Sequence, residues 1–210
     1  MAIEITWLGR TCFRIRGREG TVVMDPLPAD SGFKPGKLTG DIVTQSRAND
    51  PQFGDPSVVG GSPRVLNAPG EYEIGGVLAT AVALPYSDGT RNVAFIIEME
   101  LVRIAHLGLL SSEGKVSIPA ELEDVDIVLL PAGDGPSLDG RQAADLITSM
   151  DPSVAIPMLY KTDQERMELE GLEKFLSETG AKPEPQPRYS TTKSGLPENL
   201  TVVVLQASGG

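Results

Sequence analysis

The chain contains a single histidine, His106, and a single cysteine, Cys12, and these two side chains limit the chemistry available to it. Histidine titrates near neutral pH, so His106 could act as a general acid or base, or simply be hydrogen-bonded at a strand end. Cys12 has no acid–base neighbour in sequence, which favours a small buried residue over a nucleophile. Hydrolytic zinc sites take two or three imidazoles per metal, so these residues cannot build a dinuclear zinc site.

Three aspartates could supply oxygen ligands to a hard cation: Asp25, Asp50 and Asp88. Carboxylates are the ligands that magnesium and calcium accept in proteins. Asp25 and Asp50 each precede a proline, however, and such pairs are ordinary turn formers. The sequence leaves both a hard-metal site and a purely structural role open.

The composition is that of a globular protein with an acidic surface. The chain has 210 residues, of which 40% are hydrophobic and 22% charged, and its formal net charge is -11. This charge repels a phosphate backbone and no cluster of lysine and arginine offsets it, so nucleic acid is excluded as a partner. No apolar run reaches the roughly 18 to 20 residues of a membrane span. With one cysteine and no signal-peptide pattern, we expect a cytoplasmic protein of bacterial type.

The elements that must position these residues are mostly short strands. Alternating or apolar runs predict strands at 3–8, 12–16, 21–24, 41–44, 64–67, 72–74, 77–84, 93–98, 102–105, 126–130 and 200–205. The run at 126–130 is almost wholly apolar, as in a strand that is covered on both faces. Residues 46–63 are polar and rich in turn formers, which predicts a loop with one irregular helical turn.

Helical patterns appear late in the chain. Residues 138–150 place their apolar side chains on one face of a helix. Thr162 and Glu165 have the spacing of a capping box in front of an amphipathic segment that ends near Gly180. Strand-rich halves that each finish in helix predict two sheets packed face to face, with helices outside.

A series of short segments resembles, in content and order, the metallo-β-lactamase superfamily, and specifically its small branch similar to ascorbate-6-phosphate lactonases. The matching segments span about residues 3 to 206 and read ITWLGRTCFRI, TVVMDP, DIVTQS, NAPGEYEIGGV, RNVAFIIE, VRIAHLG, DIVLLPAG, LDGRQAADLI and SVAIPMLYKT. NAPGEYEIGGV and IPMLYKT are the most specific of them. The resemblance implies an α/β fold, the metallo-β-lactamase-type αββα four-layer sandwich, formed by residues 1–210 as a single domain.

The same resemblance implies where metal ligands would stand, including an HxHxDH motif after the strand at 41–44. In this chain the positions that match the family's ligands carry Arg47, Asn49, Pro51, Gln52, Ser87, Leu109 and Leu159. Leu109 stands for the metal-bridging aspartate, and Arg10 replaces a histidine of the first hairpin. The family binds Zn or Mn, so these replacements predict a degenerate metal site and no cofactor.

The loss of every alignable ligand predicts a catalytically inactive, metal-free member that serves as a binding or interaction module. One alternative is a hydrolase of the same superfamily with an atypical site. Another is a small-anion-binding protein in which Arg10 and Arg47, with Asn49 and Lys161, bind a carboxylate or phosphate. The two arginines could equally pair with aspartates and neutralise a closed site. We expect a small anionic ligand or a homologous subunit as partner, and neither nucleic acid nor membrane.

Overall fold

The structure is a computed structural model that describes residues 2–48, 50–86, 89–111 and 118–208. Within these ranges the strands are β1 (Ile3–Gly9), β2 (Cys12–Arg16), β3 (Thr21–Met24), β4 (Leu38–Thr39), β5 (Ile42–Thr44), β6 (Val59–Gly60), β7 (Arg64–Leu66), β8 (Gly70–Ile74), β9 (Val77–Pro85), β10 (Arg91–Met99), β11 (Val102–His106), β12 (Ile127–Pro131), β13 (Val154–Met158), β14 (Tyr189–Thr191) and β15 (Thr201–Val202). The helices are α1 (Gly140–Met150) and α2 (Glu173–Thr179), with short 3-10 turns at Pro56–Val58, Ala120–Leu122 and Lys193–Gly195. None of the described helices is long and apolar enough to cross a membrane.

Two β-sheets form the centre of the molecule. Sheet A has the strand order β14-β1-β2-β3-β5-β7, and sheet B has the order β15-β13-β12-β11-β10-β9-β8. Strands β3, β5 and β7 run parallel to one another, as do β11, β12, β13 and β15. The remaining pairs within the two sheets are antiparallel. The mixed α/β fold of the metallo-β-lactamase type that we predicted is thereby confirmed.

Apolar side chains from both sheets fill the space between them. In β1 the side chains of Ile3, Ile5 and Trp7 belong to the core cluster that also contains residues of sheet B, because strand side chains alternate between faces. Leu8 points the other way and joins a second cluster. All five residues of β12 are buried, which confirms the prediction of a strand covered on both faces.

The two outer layers differ in composition. Helix α1 packs against β12, and α2 packs against α1, so the helices cover sheet B. The outer face of sheet A is covered by Leu27, Phe33, Leu38 and Val59, which come from the loops and from the β4–β6 pair. In the part of the chain that the structure describes, this outer layer is therefore made of loops and a short strand pair.

The amphipathic segment predicted from Thr162 is helical only near its end. Helix α2 begins at Glu173 and ends at Thr179, and Gly180, with a φ of 67°, is the expected left-handed cap. The carboxylate of Glu165 does not cap a helix because it binds the side chain of Arg10. Residues 161–170 instead form an irregular strap with a turn after Thr162, and the Glu170 N–H donates to the carbonyl of Gly133 at 2.7 Å.

Other elements follow the local pattern closely. Helix α1 was predicted at 138–150 and begins one residue after Asp139, which forms a reciprocal capping box with Gln142. The closing strand predicted at 200–205 is shorter, since only Thr201–Val202 pairs as a strand and Leu205 forms an isolated bridge with Gln186.

The parallel strands bring chemically useful residues to one edge of the sandwich. Asp25 directly follows β3, Ser46 comes two residues after β5, and Asn67 directly follows β7. In sheet B, His106 ends β11 and Leu159 directly follows β13. Because the carboxyl ends of parallel strands share an edge, residues far apart in sequence meet there.

The contrast between a buried and a partly exposed position in sheet B gives a test of the packing. Leu130 in β12 is fully buried, whereas Leu78 in β9 is 43% exposed. We expect Leu130→Ala to lower the free energy of unfolding by about 2–5 kcal/mol, because it leaves a cavity, and Leu78→Ala to lower it by well under half as much. Urea denaturation measures both. Equal losses in the two variants would contradict the placement of β12 at the centre.

Candidate active site

Asp25 is a fully buried carboxylate at the end of β3. Its Oδ1 accepts a hydrogen bond from the backbone N–H of Ser46 at 2.7 Å, and its Oδ2 lies 3.9 Å from Nε2 of His106. Burial raises the pKa of Asp25 above its ordinary value, while the nearby His106 and the Ser46 N–H oppose the rise. The carboxyl group therefore ties β3 to the loop after β5 and faces the imidazole of sheet B.

His106 is held in one orientation by two hydrogen bonds. Its Nε2 lies 2.7 Å from the carbonyl oxygen of Thr11, and its Nδ1 lies 3.4 Å from the hydroxyl of Ser46. A carbonyl oxygen can only accept, so in the neutral ring Nε2 carries the proton and Nδ1 presents its lone pair to Ser46. Asp25 makes no hydrogen bond with the ring, because the Nε2–H donates to Thr11 and Oδ2 of Asp25 lies 3.9 Å away. The neighbouring hydroxyl, imidazole and carboxyl groups of Ser46, His106 and Asp25 are called here the Ser–His–Asp triad.

Ser46 lies at the floor of a cavity of about 640 Å³. The cavity is lined by Ser46, Arg47, Ala48, Asp50, Pro51, Asn67, Gly89, Thr90, Arg91 and Val93. The Ser46 carbonyl accepts a hydrogen bond from the Val93 N–H at 2.9 Å, which joins the loop to β10. Gly108 leaves room for the hydroxyl, because a Cβ at this position would lie 2.7 Å from Ser46 Oγ and the φ of 59° also favours glycine.

The sequence analysis missed Ser46 because it placed this residue at the start of a polar loop. The available signal was its position just beyond a buried strand, where a side chain reaches the edge of a parallel sheet. Nothing local in the sequence pairs Ser46 with His106, which is 60 residues away.

Arg47 forms part of the cavity wall and is held there by several groups. Its Nη1 donates to the hydroxyl of Thr90 at 2.9 Å, and its Nε lies 3.4 Å from Oδ2 of Asp50. The guanidinium carbon also lies 4.1 Å from the centre of the Tyr86 ring, a cation–π contact. Tyr86 is anchored in turn by a hydrogen bond from its hydroxyl to the carbonyl of Pro136.

Arg10 is buried away from this cavity in an ion pair with Glu165. Its Nε lies 3.3 and 3.2 Å from the two carboxylate oxygens of Glu165. Its terminal nitrogens donate to the carbonyl oxygens of Gln52 and Ser31. The guanidinium is thereby surrounded by acceptors, as a buried charge requires.

Leu109 and Leu159 fill space with apolar side chains. Both belong to the central core cluster and are almost completely buried. The Leu109 N–H donates to Oδ1 of Asn92 at 3.0 Å, so a buried amide braces the loop after β11. Leu159 has a φ of 52°, an uncommon conformation for a bulky residue, and its N–H donates to the Arg10 carbonyl.

The four residues predicted to bind an anion are not brought together among the described residues. Arg47 lines the cavity beside Ser46, and Arg10 lines a separate cleft with Ser31 and Gln52. Lys161 donates from Nζ to the carbonyl of Glu165 and lines two other clefts. The remaining predicted positions Asn49 and Ser87, and also Asp88, lie outside the described residues.

Cys12 is buried on the outer face of sheet A, as the strand pattern indicated. Burial raises the pKa of its thiol, which keeps it protonated at neutral pH. Pro51 and Gln52, two more of the predicted ligand positions, are exposed and line the clefts on either side of their loop.

The metals that the resemblance implies do not fit the residues present. Across the described ranges, no group of three or more His, Cys, Asp or Glu side chains is placed to hold a metal ion. Asp25 faces His106, whereas Asp50 faces Arg47, so the two aspartates do not form a hard-metal site. A guanidinium at Arg47 also adds positive charge where a cation would have to bind.

The Arg10–Glu165 pair gives a test of buried electrostatics. We expect Arg10→Met to lower the free energy of unfolding by about 3–5 kcal/mol, because it leaves the Glu165 carboxylate buried without the positive charge that compensates it. Adding Glu165→Gln should restore part of the loss, since the amide still accepts from the Met167 N–H. The exposed pair of Arg188 and Glu4 provides the control, and Arg188→Met should cost under about 1 kcal/mol. Similar losses for the two arginine variants in urea denaturation would refute the argument.

The buried carboxyl of Asp25 predicts a pH dependence of stability. A raised native pKa means that the folded state holds the proton more tightly than the unfolded state, whose pKa stays near 3.8. The stabilisation that comes from this tighter proton binding is fully present below pH 3.8, and it is lost as pH rises through the native pKa of Asp25. The free energy of unfolding of wild type should therefore fall relative to that of Asp25→Asn as pH increases. Denaturation from about pH 3 to about pH 7 tests this, and a constant difference would contradict it.

Comparison with curated proteins finds relatives named as hydrolases. The chain is 25% identical over 186 residues to a UPF0173 protein of Pyrococcus furiosus, covering 78% of this chain and 86% of that one. It is 24% identical over 196 residues to a UPF0173 metal-dependent hydrolase of Methanosarcina barkeri, covering 77% of this chain and 85% of the relative.

Solved structures with the same fold cover nearly the whole chain. A Thermotoga maritima protein, described as a candidate Zn-dependent hydrolase of the metallo-β-lactamase superfamily, superposes with a TM-score of 0.79 at 27% identity, over 97% of this chain and 100% of that one. Igni18, a metallo hydrolase from Ignicoccus hospitalis, superposes with a TM-score of 0.67 at 16% identity, over 100% and 97% of the two chains, and supports the fold alone.

These comparisons correct one prediction and confirm another. The prediction of a catalytically inactive module is wrong, because the relatives that match most of the chain are named metal-dependent hydrolases. The alternative of a hydrolase with an atypical site agrees better with them. The family described as Beta-lactamase superfamily domain matches residues 4–159. The chain therefore belongs to the metallo-β-lactamase superfamily.

Proposed function

We propose that this protein is a hydrolase with an atypical site, in which Ser46 attacks the carbonyl carbon of a small ester or lactone. The observation that carries the proposal is the Ser–His–Asp triad at the floor of the cavity. The names of the relatives support hydrolysis as the reaction class. We propose that the replaced metal-ligand positions form a degenerate metal site. Such a site favours activation of the nucleophile by an imidazole over activation by a metal ion.

In the first half of the reaction, Ser46 forms an ester with the acyl group of the substrate. Nδ1 of His106 takes the hydroxyl proton as Oγ attacks the carbonyl carbon. The carboxyl group of Asp25, 3.9 Å from Nε2, faces the positive imidazole that results, and its negative form stabilises that charge. His106 then returns its proton to the leaving alkoxide. With an ester a free alcohol departs, whereas with a lactone the new hydroxyl stays attached to the acyl group on Ser46.

In the second half, water releases the acyl group. His106 takes a proton from the water molecule, whose oxygen attacks the acyl carbon. The proton then passes back to Ser46 Oγ as its bond to the acyl group breaks, and a carboxylic acid leaves the cavity. The Arg47 guanidinium on the cavity wall is paired with Asp50, so this pair adds no net charge near the oxygen that becomes negative in both halves.

An ester or lactone is favoured over other substrates for two reasons. Attack by a serine hydroxyl needs an electrophilic carbonyl carbon, and esters provide one with an alkoxide leaving group. The narrower resemblance, to ascorbate-6-phosphate lactonases, also supports a cyclic or linear ester. The single domain at residues 1–210 and the cytoplasmic location stay predictions.

The triad is tested by removing the hydroxyl and the imidazole separately. We expect Ser46→Ala and His106→Gln each to lower kcat for p-nitrophenyl acetate or γ-butyrolactone by about 10²- to 10⁴-fold, since each removes a group that acts in bond cleavage. Ser137→Ala is the matched control, because Ser137 is also buried but donates to the Leu110 carbonyl away from the cavity. This control should retain wild-type activity.

A fluorophosphonate probe gives a readout that does not depend on guessing the substrate. An activated serine displaces fluoride from the probe, so mass spectrometry should find the adduct on the peptide that contains Ser46. Labelling should disappear in His106→Gln. Hydrolysis that a chelator abolishes and that Ser46→Ala leaves unchanged would overturn the proposal and assign the reaction to a bound metal.

A further inference from the structure

The described wall of the cavity beside Ser46 carries a charge opposite to that of the whole chain. The protein has a formal net charge of -11, yet the charged residues among the described lining are Arg47, Asp50 and Arg91. Arg47 and Asp50 lie 3.4 Å apart and neutralise each other. One positive charge, that of Arg91, is left over on the described wall.

Arg91 differs from Arg47 in how it is held. The guanidinium of Arg47 is fixed by Thr90, Asp50 and the ring of Tyr86. Arg91 is exposed at the start of β10, and its side chain makes no hydrogen bond or ion pair with another residue that the structure describes. A guanidinium with unused donors on a concave wall is well suited to a carboxylate, which it can bind through two parallel hydrogen bonds.

The strand geometry sets the distance between Arg91 and the triad. The Val93 N–H donates to the Ser46 carbonyl, so Val93 marks the position of Ser46 along β10. Arg91 is two residues earlier on the same face of the strand, so its Cα lies about 7 Å from the Cα of Val93. Asn67, at the end of β7, adds an exposed amide to the same wall.

We propose that Arg91 determines specificity for esters or lactones that carry a carboxylate a few bonds from the carbonyl that is cleaved. This inference rests on the proposed role of Ser46 in hydrolysis. A free carboxylate bound at Arg91 places the second, esterified carbonyl of a short dicarboxylic acid monoester over Ser46. A neutral ester of the same size makes no such contact and is held less firmly.

Substrate selection is tested with monomethyl succinate and its neutral counterpart dimethyl succinate. Wild type should show a kcat/KM for monomethyl succinate at least about tenfold above that for dimethyl succinate, since a charge-assisted hydrogen-bonded pair contributes more than 1.4 kcal/mol. Arg91→Met should remove this preference by raising KM for monomethyl succinate. The matched control Arg141→Met, on the exposed side of α1, should retain it.

Binding of succinate separates this inference from the proposed reaction. Calorimetry should show that succinate binds wild type and Ser46→Ala alike, and that Arg91→Met weakens binding about tenfold or more. If Arg91→Met binds succinate as tightly as wild type, or if wild type does not bind it, the role of Arg91 is refuted. If Arg91→Met weakens succinate binding as expected but Ser46→Ala leaves ester hydrolysis unchanged, only the proposed role of Ser46 as nucleophile is refuted.

Discussion

The complete burial of the Asp25 carboxyl is the constraint on which the edge of the sandwich depends. A carboxyl group cannot be taken out of water without partners, and the partners here come from two different sheets. The Ser46 N–H holds one oxygen and so fixes the loop after β5, while His106 of sheet B faces the other. Because the imidazole is also bound to the Thr11 carbonyl, the ends of β3, β5 and β11 and the first hairpin are locked together.

Two arginines near this edge each form an ion pair with a different carboxylate. Arg10 pairs with Glu165 from the strap at 161–170, and Arg47 pairs with Asp50 three residues away. Each pair closes its own part of the surface, so the two guanidinium groups do not converge on one ligand. The cavity beside Ser46 is open. Leu109 and Leu159, by contrast, are packed in the central core.

Three of the nine described non-glycine residues with positive φ lie at this edge. Arg10, Asp25 and Leu159 all have positive φ values, although none of them is glycine. Conformations of this kind persist only where surrounding contacts over-determine them, and they cluster at functional sites. Here the Arg10 carbonyl accepts from both the Trp7 indole and the Leu159 N–H, which holds two of the strained residues against each other.

Local sequence patterns were sufficient for most of the strands, for α1 and for the burial of Cys12, because side-chain periodicity acts over a few residues. The family resemblance supplied the fold. Only the tertiary structure decided that Glu165 pairs with Arg10 instead of starting a helix, because its partner is 155 residues away. The same holds for the triad: Asp25, Ser46 and His106 meet because parallel strands end at one edge. Contacts between such distant residues leave no mark on the local pattern.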